Sequence, residues 1–179
     1  MTRTDALRFP TGRFAEPITP LTPARLAAIL GDIAALPADL RAAAEALSEA
    51  ALDTPYRPGG WTVRQTVHHV PDSHTNAYVR FKWGLTESAP CIKVYDEAAW
   101  AALPDSRAPV GGSLDLLDAL TARWVELMRA LAPDDWARTF VHPEHGPMRL
   151  DRTAAMYAWH GRHHLAHVRL VAAPPDVRR

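Results

Sequence analysis

Cysteine is almost missing from this sequence. Cys91 stands alone among 179 residues, so no intrachain disulfide can form, and a reducing compartment fits best. Long apolar runs are missing too. Nothing approaches the roughly 20 residues that carry a helix across a bilayer, and Met1-Thr2-Arg3-Thr4-Asp5-Ala6-Leu7-Arg8 has no secretory h-region. The expected location is therefore the cytoplasm, with no membrane partner. Neither sign of charge prevails: 20 basic and 20 acidic side chains cancel. No basic stripe appears, which argues against nucleic acid as a partner. What remains is ordinary for a globular protein, with 47% hydrophobic and 22% charged residues. The length fits one domain, 1–179, with a real core.

Proline is plentiful and punctuates the chain. Pro10, Gly12, Pro17 and Pro20 predict an extended arm over residues 1–20. Pro23 suits the first turn of a helix carrying Leu26, Ile29 and Ile33. Pro37 then interrupts, and Leu40 to Leu52 continues as either a kinked extension or a second packed helix. After a loop at residues 53–61, Thr62 and Gln65 have capping-box spacing and start a helix at Val63 that runs to about Leu85 through Pro71. Residues 86–112 read as a long connection, with a short helix somewhere between Tyr95 and Leu103. Ser113 is the expected cap of the next helix, whose stripe is Leu117, Leu120, Trp124, Leu127 and Leu131. Phe140 to Leu150 suggests an irregular hairpin. Asp151 is the expected cap of a last helix that stops before Pro174-Pro175. The fold class is all-α: a four-helix bundle in which the connection of about 27 residues implies a crossover.

Chemistry concentrates in the last helix. Trp159-His160-Gly161-Arg162-His163-His164-Leu165-Ala166-His167 holds four of the nine histidines. At about 100° per residue the four imidazoles share one stripe, with Arg162 and Arg169 opposite. His160 with His164, and His163 with His167, have the i, i+4 spacing that brings two imidazoles to one ion. A solvated helix end rich in histidine is the plainer explanation for any one of them. A third ligand has to come from another helix, and either His68 or His69 supplies it; apolar periodicity does not separate the two. Three imidazoles suit zinc, nickel, copper or iron better than magnesium or calcium. They also leave an open coordination position, as in catalytic zinc sites.

Several strings together resemble the DinB/YfiT-like superfamily of metal-dependent hydrolases, its YfiT branch in particular. They are Asp53-Thr54-Pro55-Tyr56-Arg57, Gly59-Gly60-Trp61-Thr62-Val63-Arg64-Gln65, His68-His69 with Asp72-Ser73-His74, Tyr95-Asp96-Glu97 with Trp100, His142-Pro143, and Trp159-His160 with His163-His164-Leu165-Ala166-His167. The resemblance covers nearly the whole chain. It implies a four-helix bundle with a metal, zinc or nickel, on His69, His160 and His164, and a homodimer. Pro71, Gly161-Arg162 and Cys91 depart from the branch and touch no implied ligand.

Three functions follow from such a site. The first is hydrolysis by a metal-activated water, with Asp72 and His163 as the candidate proton-handling residues and His167 as a further donor or packing group. The second is thiol S-transfer, in which a small thiol of the bacillithiol or mycothiol kind occupies the open position and loses its proton. In that reading Arg57, Trp61 and Arg64 contact the anionic cofactor or substrate, against a plainer alternative in which Arg64 is a surface residue and Trp61 is packing. The third is a metal-binding stress protein without catalysis. Cys91 is expected to be a partly buried bystander.

Overall fold

Thr22 accepts a hydrogen bond from the Arg25 amide, Pro23 follows in the first turn, and the chain winds into helix α2, Pro23–Glu45. It is one helix, not two. Pro37 is buried inside it, and the apolar stripe Ile29, Ile33, Leu36, Leu40 and Ala44 runs through the proline without a break. A separate short helix, α3 (Glu49–Leu52), follows. The computed structural model describes residues 3–172. Ahead of α2, Arg3–Arg8 forms helix α1, so the expected extended arm begins with a helical turn and extends only from about Phe9 onward. The Asp5 carbonyl accepts from Phe9, extending that turn.

The capping box opens helix α4, Val63–Thr86, with both reciprocal bonds made: Gln65 N to Thr62 Oγ1 at 3.1 Å and Thr62 N to Gln65 Oε1 at 3.0 Å. Pro71 sits within α4 without ending it. Helix α5 (Glu97–Ala101), a 3-10 turn at Pro104–Arg107 and helix α6 (Gly111–Arg129) come next. Ser113 is not the cap of α6. It lies inside the helix, where its hydroxyl has a partner on α4 instead. A 3-10 turn at Asp135–Ala137 leads to strands β1 (Thr139–His142) and β2 (Gly146–Arg149), an antiparallel pair with Phe140 opposite Met148 and His142 opposite Gly146. Helix α7, Leu150–Ala172, closes the described chain; Pro174-Pro175 lie outside it. Asp151 is the second residue of α7. It is buried, and it receives Arg149 through two hydrogen bonds and the Arg152 amide through a third.

Four long helices make the bundle, and their neighbours run in the cyclic order α2, α6, α4, α7. The long connection therefore joins two adjacent helices, α4 and α6. The diagonal crossings fall elsewhere, at α2 to α4 and α6 to α7. The 24 residues between α4 and α6 instead wall a cavity with Val94, Tyr95, Asp96, Glu97 and Ala98. They pair with the hairpin, where Ile92 N donates to Val141 O and Val141 N to Pro90 O. Cys91, in this stretch, is exposed rather than partly buried.

Two apolar clusters fill the bundle. One holds Phe81, Trp124, Phe140, Met148 and Tyr157; the other holds Leu36, Leu40, Val67, Leu117, Leu165 and Val168. The histidine-rich turns of α4 and α7 lie at the level where they meet. Gly161 sets how closely α2 and α7 approach there, since a Cβ on it would lie 2.7 Å from Leu36 Cδ2. No described helix is long and apolar enough to cross a membrane.

Candidate metal centre

The adjacent helices α4 and α7 bring His69, His160 and His164 together, with one ring nitrogen from each lying within 4.8 Å of the others. His69 Nε2 and His160 Nε2 are 3.3 Å apart. The rings of His69 and His164 meet edge to face at 4.8 Å, those of His160 and His164 at 4.4 Å. Trp61 packs on His69 at 4.8 Å, which fixes the ring where it enters the cluster.

His68 goes elsewhere. Its Nε2 donates to the Ala108 carbonyl at 3.0 Å, and its Nδ1 therefore accepts the Ser113 hydroxyl at 2.7 Å. Both nitrogens are engaged, so this imidazole ties α4 to α6 and has no lone pair left for an ion.

Burial keeps the clustered imidazoles neutral. It pulls His69 down to about 4, with the neighbouring His163 adding to the effect. His160 and His164 are depressed further, by burial first and then by the surrounding histidines. Neutral imidazole is the form that coordinates. Zinc with bonds of about 2.0–2.1 Å has its tetrahedral ligand atoms roughly 3.3 Å apart, the separation of the two Nε2 atoms here. A single proton can bridge one pair of these nitrogens; a cation serves all three. The donor set fits a divalent ion of the zinc or nickel type.

His163 and His167 form a second tier of the same stripe. His163 stacks on Trp159 at 4.7 Å, and burial draws it down to about 4. His167 stacks on Tyr56 at 3.9 Å and donates through Nε2 to the Arg8 carbonyl at 3.3 Å. The N-terminal segment lies over this tier. Trp159 Nε1 donates to Gly12 O at 3.1 Å, and Arg152 forms an ion pair with Glu16. A cavity of about 370 Å³ opens beside the cluster, lined by Arg57, Trp61, His69, His160, His163 and His164 among others.

Arg57 and Trp61 thus face the cavity, while Arg64 does not. Its guanidinium is buried, neither on the surface nor in the cavity, and bonds Asp53 at 2.7 Å and Glu49 at 2.5 Å. Asp72 is also off the site. It follows His68 by one turn, and burial, with Asp105 nearby, pushes its carboxyl up. Two residues had no role in the sequence reading. His74 is fully buried, with neither ring nitrogen partnered among the described residues, and it meets Trp124 and Tyr157 edge to face. It continues the apolar stripe Val70, Ala77, Phe81, so its burial was legible. Arg80, the second, lines a further cavity that shares His160 with the first.

Residues 32–168 match the DinB superfamily. The chain belongs to the DinB superfamily. Within it, the protein is 50% identical over 162 residues to a relative from Bacillus mycoides (strain KBAB4), covering 90% of this chain and 93% of the relative. It is 51% identical over the same length to one from Bacillus cereus (strain B4264), again covering 90% and 93%. Both are provisionally named metal-dependent hydrolases. A solved structure, YfiT from Bacillus subtilis, superposes on this DinB-superfamily chain with a TM-score of 0.90 at 41% identity, covering 93% of this chain and 96% of that one. YfiT is described as a probable metal-dependent hydrolase with an unusual four-helix bundle topology.

Proposed function

We propose that the protein is a metal-dependent hydrolase whose ion is held by His69, His160 and His164. The observation that carries this is the convergence of three neutral imidazoles from two helices, with one nitrogen of each within 4.8 Å of the others and one pair at the tetrahedral-edge spacing of 3.3 Å, beside a cavity. Relatives at half identity bear the same activity in their provisional names. A divalent ion in such a site acts as a Lewis acid and lowers the pKa of a coordinated water towards neutrality.

The chain's own residues do the rest. Trp61 and the aromatic surroundings hold the ligand rings in place, because Nδ1 of His160 and of His164 has no hydrogen-bond partner among the described residues to do so. His163 is neutral and lines the cavity, so of the two proton-handling candidates we assign it the role of accepting a proton from water. Asp72 is not so placed. Arg57 lines the cavity with a buried, unpartnered Nε and, with Arg8 on the same wall, is suited to an anionic group. The N-terminal segment forms part of the cavity wall through Arg8 and Phe9.

Thiol transfer is the second reading, favoured by one feature: two cavities, of about 370 and 540 Å³, share Glu97, Trp159 and His160 as a common wall. That is room for two organic molecules. Cobalt substitution tests both readings. His164→Ala should lose most of the metal found by mass spectrometry in wild type, and unchanged content would sink the ligand assignment. On the cobalt protein, a sulfur-to-cobalt charge-transfer band after adding a small thiol would move the assignment to transfer; its absence, with one metal per chain, keeps hydrolysis.

A further inference from the structure

We propose that the second cavity binds a carboxylate on Arg80, as the handle by which the reacting molecule is recognised; this rests on the metal-centre reading above. Arg80 is 8% exposed and lines a cavity of about 540 Å³ together with Ser73, Glu97, His142, Tyr157 and His160. That volume is within the usual range for a small-molecule site.

A buried guanidinium requires a counter-charge, because desolvation penalises an unpaired ion severely. This fold meets the requirement once. Arg64, buried to the same degree, holds two carboxylates. Arg80 holds none among the described residues. Its hydrogen bond is a long one, from Nη2 to the Lys93 carbonyl at 3.4 Å, and the Tyr157 hydroxyl is another polar neighbour. Both partners are neutral, and five donors are to be satisfied. The acidic groups on this cavity are Asp96, Glu97 and Glu144, and none forms an ion pair with Arg80. Glu97 is the acidic group whose charge Arg80 feels, but without contact between them: burial pushes its carboxyl up and the Arg80 charge only partly offsets that.

The planar fork of arginine matches a carboxylate in bidentate geometry, which selects that group over a neutral amide or alcohol. The position on the helix decides how the ligand lies. His69, Ser73 and Arg80 are spaced i, i+4 and i+11 on α4 and share a stripe, with Arg80 three turns beyond the histidine. His160 borders both the cavity and the metal centre. A molecule anchored at Arg80 therefore extends back to His160, and its carboxylate is separated from its reacting atom by several bonds. The handle belongs either to the hydrolysed substrate or to a thiol co-substrate.

Calorimetric titration of the metal-loaded protein with succinate, N-acetylcysteine and the neutral thiol N-acetylcysteamine tests this. The acids should bind wild type, and Arg80→Met should weaken them about tenfold or more, the loss of a charge-assisted hydrogen bond, with metal per chain unchanged. Arg80→Lys, which keeps the charge and loses the fork, should fall between. Arg80→Met should also raise the melting temperature of the ligand-free protein, since an apolar side chain of similar length replaces an unpaired charge. Binding of N-acetylcysteine alone assigns the handle to a thiol; binding of succinate as well assigns it to a substrate without one. Failure of both acids to bind, undiminished binding by Arg80→Met, or equal binding of the neutral thiol overturns the proposal. Should Arg80→Met not fold, undiminished binding by Arg80→Lys overturns it equally. Failure of the metal reading shows separately, as wild type without stoichiometric metal, and titration of that metal-free protein still decides Arg80.

Discussion

His68 and His69 are adjacent, both buried and chemically identical, yet they do different work. The difference lies in partners 40 and 45 residues away, Ala108 and Ser113, which no local spacing reveals. Sequence periodicity narrowed the third ligand to this pair, and the family resemblance pointed to His69; geometry shows why His68 has no free lone pair. His68→Ala should leave metal content at the wild-type level while lowering stability by about 1–3 kcal/mol, as two buried bonds are lost and a carbonyl is left unpaired. Metal analysis and urea denaturation of the same sample check both halves, and a parallel loss of metal would put His68 in the site. Arg64 and Asp72 were illegible for the same reason. A charged residue beside a motif reads alike wherever it faces: Glu49 and Asp53 hold Arg64 in an ion pair, while Asp72 is half-buried away from the cavity, near Asp105.

Among the elements, the four long helices were legible because their apolar positions recur at three and four residues and their starts at Pro23 and Thr62 carry local signals. Of the two prolines inside long helices, Pro71 did not obscure the continuity of α4, whereas Pro37 left open whether α2 was one helix or two. Caps were less legible: Ser113 and Asp151 have the right chemistry for a helix start, and each is engaged by a tertiary or neighbouring partner one or two residues inside. Gly161 was a departure without a rationale until Leu36 was seen against it. Gly161→Ala gains about 1 kcal/mol of helix propensity but forces a buried leucine that touches it through three atoms, and overpacking costs about 1–3 kcal/mol. The expected result is net destabilisation of about 1 kcal/mol, relieved when Leu36→Ala is added. A double-mutant cycle measures it, and additive effects would show that the contact does not limit the approach of α2 to α7.

For the whole molecule, an all-α bundle with a small hairpin could be read from pattern, but not the order of its helices around the core. Loop length misplaced the crossover, because a long connection is as useful for walling a cavity as for spanning a bundle. Only the folded chain assembles the three imidazoles, so an ion that binds there stabilises the fold by mass action, about 2.7 kcal/mol at a hundredfold excess over the dissociation constant. Chelation should accordingly lower the melting temperature by several degrees, and readdition of zinc should restore it. An unchanged melting curve would mean that no ion links folding to the centre.

His69 and His160 lie 91 residues apart in the chain. An ion that holds them closes a loop spanning half the protein, and closing so long a loop removes much of the freedom of the unfolded chain. A polypeptide with a single, exposed thiol would in this way possess a staple of the kind that secreted proteins make from disulfides. It would be opened by a chelator or by acid rather than by a reductant, and so would hold in a reducing environment.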